Sequence, residues 1–129
     1  MKYLLVFFTL IISPNLCNSA WFKLFEISSG DLYIDTDSIV RDNNTIYFNQ
    51  LVNYKNKQKN GMLSLKVFSE IDCTTLKIRD LDYEIFTNAM GVGEDFYNGK
   101  PKKKWKKPES GTSVHFLNKI LCDRVSLKK

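Results

Sequence analysis

Residues 62–73 alternate regularly enough to decide what surrounds them. Leu63, Leu65, Val67, Ile71 and Cys73 fall on one face of an extended chain, while Ser64, Lys66, Glu70 and Asp72 fall on the other. Successive side chains of a strand point to opposite faces, so this segment forms a strand with one wet face and one that must be covered. The same parity aims the Cys73 sulfur toward the covered side. Neighbouring segments repeat the pattern. Ile46, Phe48, Val52 and Tyr54 alternate through residues 45–54, Leu32 and Ile34 share a face in residues 31–35, and Leu81, Tyr83 and Ile85 follow more weakly in residues 77–87. Between them lie Arg41-Asp42-Asn43-Asn44, whose Asn and Asp favour turns, and a polar stretch ending at Gly61. Residues 21–27 add a first strand at the sheet edge. Consecutive strands joined by short polar turns make an antiparallel meander.

The period then changes. After Thr112 or Ser113, either of which can cap a helix, Val114, Leu117, Leu121 and Val125 recur at helical spacing, with Phe116 and Ile120 beside them. The expected fold class is α+β, a single antiparallel sheet of four to six strands packed by this C-terminal helix. Cys122, near the end of the helix, can reach Cys73. Residues 88–111 separate sheet from helix without apolar periodicity and hold Gly91, Gly93, Gly99, Pro101, Pro108 and Gly111. A loop of that length in a small domain is functional or disordered.

Residues 1–20 read as a cleavable secretory signal peptide. Lys2 is followed by an apolar run through Ile12, then Ser13-Pro14, then the small residues Cys17, Asn18, Ser19 and Ala20. The run is about ten residues, half of what a bilayer span needs, so no transmembrane span is expected in the mature chain. The remaining residues, 21–129, are the size of one domain, exported to the periplasm or the cell surface. Cleavage leaves two cysteines, Cys73 and Cys122. An even pair in an oxidising compartment favours a disulfide. Free or metal-bound thiols are the alternative, although no nearby Cys or His supplies ligand spacing. Cys17 follows Leu16, with Pro14 where a lipidation signal has an aliphatic residue, and belongs to the discarded segment.

Charge is concentrated. Of 19 basic residues only Lys2 precedes residue 21, which leaves 18 against 14 acidic ones, and six of the 18 are Lys100, Lys102, Lys103, Lys104, Lys106 and Lys107. The rest of the domain is slightly acidic. Six ammonium groups in eight residues repel one another unless a polyanion or counterions neutralise them, and Trp105 among them offers a ring for stacking. Outside the cytoplasm the matching partners are anionic glycans, lipopolysaccharide phosphates or anionic lipids, not nucleic acid. The competing reading is a solvated loop whose Trp105 folds back onto the core.

Other constellations carry less. Asp35, Asp37 and Ser38 suit the capping of a short turn better than a cation site, which needs more oxygen ligands. His115 is the only histidine and has no paired nucleophile. Gly91-Val92-Gly93 lacks the strand-turn-helix setting of a phosphate loop and serves backbone freedom. Asn43-Asn44-Thr45 fits a glycosylation sequon but reads as a hairpin turn. No catalytic residue, metal ligand or cofactor is expected, and the chain reads as a binding protein rather than an enzyme. An exposed edge strand offers sheet extension to a second copy as a route to a dimer.

Several residues in order carry a resemblance. Trp21 begins the domain. Tyr33-Ile34-Asp35 is followed by Ser38-Ile39, Arg41, Tyr54-Lys55, an acidic strand ending in Cys73, Met90-Gly91-Val92-Gly93, Trp105, Pro108 and Cys122. This resembles the surface-adhesin protein E-like family of small exported proteins of Gram-negative bacteria. The resemblance implies an antiparallel sheet packed by helix and joined by a disulfide. It also implies adhesion to host macromolecules, extracellular-matrix proteins among them, and a structural role for Trp105. The runner-up is a periplasmic protein that holds envelope polyanions through residues 100–107 without meeting a host.

Overall fold

The computed structural model describes residues 21–93, 95–97 and 100–126; the expected signal peptide at residues 1–20 lies outside the described residues. The strands are β1 (Trp21–Ile27), β2 (Gly30–Asp35), β3 (Val40–Asp42), β4 (Thr45–Tyr54), β5 (Ser64–Asp72), β6 (Lys77–Phe86) and β7 (Asp95–Tyr97), followed by one helix, α1 (Ser113–Arg124). All strand pairs are antiparallel, and the sheet runs β1-β2-β4-β5-β6-β7 with β3 beside β4. The meander has the expected α+β form, six strands long on its main path.

β2 and β3 are two pieces of one interrupted strand. Ile34 pairs Gln50 and Val40 pairs Tyr47, so both lie along the same edge of β4. The break is a 3-10 turn at Thr36–Ser38, capped by the Asp35 carboxylate accepting from Asp37 N–H at 3.0 Å. Across the break the Ser38 hydroxyl accepts from Asn49 N–H at 2.8 Å, replacing the lost ladder carbonyl. The expected capping role of Asp35 is thus realised. The turn expected at Arg41-Asp42-Asn43-Asn44 is shorter than read. Arg41 and Asp42 belong to β3, and the left-handed Asn43 (φ 56°) makes the reversal.

Pairing of β4 with β5 sets Ile46 against Ile71 and Val52 against Leu65, which confirms the parity read from the sequence. β6 departs from it. Asp80 pairs Ser69 while Asp82 pairs Phe68, so Leu81 is the extra residue of a bulge and the alternation does not run through it. Ile78 therefore shares a face with Tyr83 and Ile85 despite its opposite parity. Residues 88–111 also hold more order than their composition suggests, a 3-10 turn at Ala89–Gly91 and β7, each three residues and too short to show a period.

The helix lies on the face that carries Ile34, Ile46, Phe48 and Ile71, and adds Leu117 and Leu121 to that core. Thr112 is its cap, accepting from His115 N–H at 3.2 Å. Phe116, one position off the buried row, is left 58% exposed. Two ties fasten the helix end to the sheet. Cys73 and Cys122 form the disulfide, with Cα atoms 5.6 Å apart. Arg41 Nη1 donates to the Cys122 and Val125 carbonyls at 2.6 and 2.9 Å, occupying acceptors a helix end otherwise leaves to water. On the opposite face Leu51 is buried beneath the turn at Ala89–Gly91, whose Gly91 lies within van der Waals reach of Leu51 and Phe86. Among the described residues no helix is long and apolar enough to cross a membrane.

Candidate functional site

The lysine segment is anchored rather than loose. Along Lys100-Pro101-Lys102-Lys103-Lys104-Trp105-Lys106-Lys107-Pro108 every lysine is exposed, and Pro101, Trp105 and Pro108 are half-buried. The apolar residues are footings and the lysines stand between them. The middle footing is the firmest. Lys106 and Ile78 exchange both backbone hydrogen bonds at 2.9 Å, so the segment adds a short rung to the free edge of β6. Beside that rung the Arg79 guanidinium sits 4.3 Å from the Trp105 ring centroid. Arg79 is itself fixed, its Nε donating to Glu70 Oε1 at 2.7 Å from the facing strand. Trp105 is thus held against the edge of the sheet through Arg79.

Farther along the same strand face Tyr47 stacks on Phe68, with ring centroids 6.0 Å apart. Burial pushes the Tyr47 phenol above its ordinary value, and the Glu70 carboxylate pushes it further. This row of Tyr47, Phe68, Glu70, Arg79 and Trp105 leads from the open face of the sheet to the foot of the lysine segment.

On the helix side a polar chain runs beneath the segment. Gln50 Nε2 donates to Ser69 Oγ at 2.8 Å, Ser69 Oγ donates to Asp80 Oδ1 at 3.4 Å, and Tyr83 OH donates to Asp80 Oδ2 at 3.0 Å. Burial, with the Asp80 carboxylate next, pushes the Tyr83 phenol up to about 12. A raised value means that the folded protein favours the neutral phenol. The corresponding stability is complete below the ordinary tyrosine value of about 10 and is lost as pH climbs from there through about 12. Urea denaturation at about pH 9 and about pH 11 should show a fall in stability that is smaller in Tyr83→Phe.

Only a trace of this polar network is visible in the sequence. Gln50 and Ser69 are the polar interruptions of two otherwise apolar alternating rows, and the fold makes them partners.

Two cavities flank the segment. One, of about 480 Å3, lies between sheet, α1 and residues 106–109, and a second, of about 240 Å3, is lined by Asp80, Tyr83 and the lysines. The remaining sequence candidates stay apart. His115 sits in the first turn of α1, on the far side near Phe25 and Phe116. Asp37 belongs to the 3-10 turn of the β2–β3 break. Gly91 and Gly93 take left-handed backbone, φ 67° and 95°, and Gly91 N–H is held by the Ser64 hydroxyl at 2.8 Å. Their backbone freedom is used to fold the chain over Leu51. Among the described residues, no group of three or more His, Cys, Asp or Glu is placed to hold a metal ion.

Comparison with known proteins places this geometry in a family. The fold is similar to that of protein E from Haemophilus influenzae. Its selenomethionine form is 18% identical, with 88% of this chain and 94% of that chain covered at a TM-score of 0.64. Protein E from non-typeable Haemophilus influenzae is also 18% identical, over 89% of this chain and 86% of that one, at 0.60. Crystal form II of Haemophilus influenzae protein E is 20% identical over 85% and 92%, again at 0.60. At such identities the likeness is one of fold. No curated protein sequence matches the chain. The family model described as Surface-adhesin protein E matches residues 21–123, nearly the whole domain, and the chain belongs to that family.

Proposed function

We propose that this chain is a non-enzymatic adhesin, exported by a signal peptide at residues 1–20, that grips an anionic macromolecule through Lys100, Lys102, Lys103, Lys104, Lys106 and Lys107. Family membership supports adhesion. The observation that carries the site is the division of labour within the segment, three half-buried footings and six exposed lysines. Anchoring matters energetically. A free loop would lose much of its binding energy to ordering, whereas a segment already pinned by the Ile78 rung and by Arg79 has less to lose. Clustered ammonium groups also hold counterions that a sulfated or phosphorylated polymer releases on binding.

The test is retention on a heparin matrix. Wild-type protein should be retained at low salt and released steeply as salt rises, because the contacts are exposed charges. Replacing Lys102, Lys103, Lys104 and Lys106 with Gln should cut affinity by at least about a hundredfold, taking roughly 1 kcal/mol for each lysine near an anionic surface. The same variant should keep its melting temperature, since exposed charges contribute little to folding. Absent or salt-insensitive retention of the wild-type protein would reduce the segment to a solvated spacer. Protease shaving of intact cells separates the adhesin from the runner-up, because a protein confined to the periplasm is protected and its polyanion belongs to the envelope.

A further inference from the structure

The larger cavity beside the lysine segment has a chemistry that polyanion binding leaves unused. Leu32 and Ile78 line it from the sheet, Val114 and Leu117 from the helix, and Pro108 from the loop. Its polar lining is largely spoken for. Gln50 and Asp80 are taken up in the chain with Ser69 and Tyr83, and Arg79 is tied to Glu70. Lys106 and Lys107 are different. Both line the cavity, both are exposed, and neither pairs with a carboxylate among the described residues. Glu109 also lines it, but Lys102, Lys103 and Lys104 line the adjoining cavity and keep the local charge positive. Val114 sits on the helix row that otherwise packs the core, yet it is 39% exposed, which leaves apolar surface facing open space.

An apolar volume with a cationic entrance fits one class of ligand. We propose that this cavity binds the hydrocarbon chain of a single-chain anionic amphiphile, a medium-chain fatty acid, whose carboxylate meets Lys106 and Lys107. A volume of about 480 Å3 falls in the lower half of the usual range for small-ligand sites, which suits one chain. The apolar walls supply affinity in proportion to the methylenes they cover, and the lysines set orientation.

Calorimetric titration of the purified protein with octanoate, decanoate and dodecanoate, each below its micelle concentration, tests this. Affinity should rise about fifteenfold for each two carbons added, the equivalent of about 0.8 kcal/mol per methylene. Val114→Trp, from the helix side, and Leu32→Phe, from the sheet side, should each flatten the series by filling the cavity. Using two obstructions keeps the result readable if either variant fails to fold. Replacing Lys106 and Lys107 with Gln should weaken decanoate at least about tenfold and leave decanol unchanged. Gln at Lys102, Lys103 and Lys104 should reduce heparin retention and spare the chain-length series, so the cavity and the polymer site can fail separately. Binding that ignores chain length, or a series unaltered by both obstructions, would overturn the proposal. Binding of lysophosphatidylglycerol with no binding of decanoate would overturn the fatty-acid assignment.

Discussion

Replacing Cys73 and Cys122 together with serine should lower folding stability by about 2–5 kcal/mol. The two residues are 49 apart in sequence, and a closed loop of that length restricts the unfolded chain by roughly 4 kcal/mol in the chain-entropy model. Total stabilities of small domains are about 5–15 kcal/mol, so this single link is a large part of the whole. The native structure should survive its loss. Arg41 still binds the Cys122 and Val125 carbonyls, and Leu117 and Leu121 still pack on the sheet, so α1 has other ties to its place. The effect therefore falls mainly on the unfolded state. Urea denaturation should show a lower midpoint together with a steeper slope, as a chain freed of its cross-link exposes more surface. An unchanged midpoint in the double variant would mean that the link contributes nothing to folding.

Phe48→Ala should cost about 3–5 kcal/mol. Phe48 is fully buried at the middle of β4, in one cluster with Ile34, Ile46, Ile71, Leu117 and Leu121. Phe48 is paired with Ser69 of β5 on one side, and on the other the Ser38 hydroxyl holds the neighbouring Asn49 N–H across the β2–β3 break, so the backbone is fixed beside the space that the ring vacates and the cavity penalty adds to the lost transfer energy. Phe116→Ala makes the comparison. That ring is 58% exposed on the outer side of α1, and its removal should change stability by no more than about 0.5 kcal/mol. Chemical denaturation of the two variants side by side checks the claim that the core lies between helix and sheet. Equal costs would refute it.

The two phenylalanines also mark how far the residue pattern could be read. The alternation of residues 62–73 determined a strand, its covered face and the inward aim of Cys73, because a period of two leaves a strand no other way to bury its apolar side chains. Helical spacing from Val114 to Leu121 determined α1 and placed its start at Thr112 or Ser113. Six lysines in eight residues marked the candidate site. All of these are local signals, carried by neighbours in sequence.

What the sequence did not determine depends on partners far away in it. The bulge at Leu81 exists because β6 must stay in register with β5 on both sides of Ser69, a constraint that no single strand contains. Gln50 and Ser69 look like defects in two separate apolar rows until pairing of β4 with β5 brings them together over Asp80. Arg41 reads as a turn residue, and only the approach of the α1 terminus gives its guanidinium two carbonyls to bind. The lysine segment was legible as charge and illegible as structure. Its rung on Ile78 and the stacking of Trp105 on Arg79 join residues more than 25 apart, and the free edge of β6 that receives them appears only once β7 stops short of it. Composition placed the charges, and tertiary pairing decided that they would stand on fixed footings beside an apolar cavity.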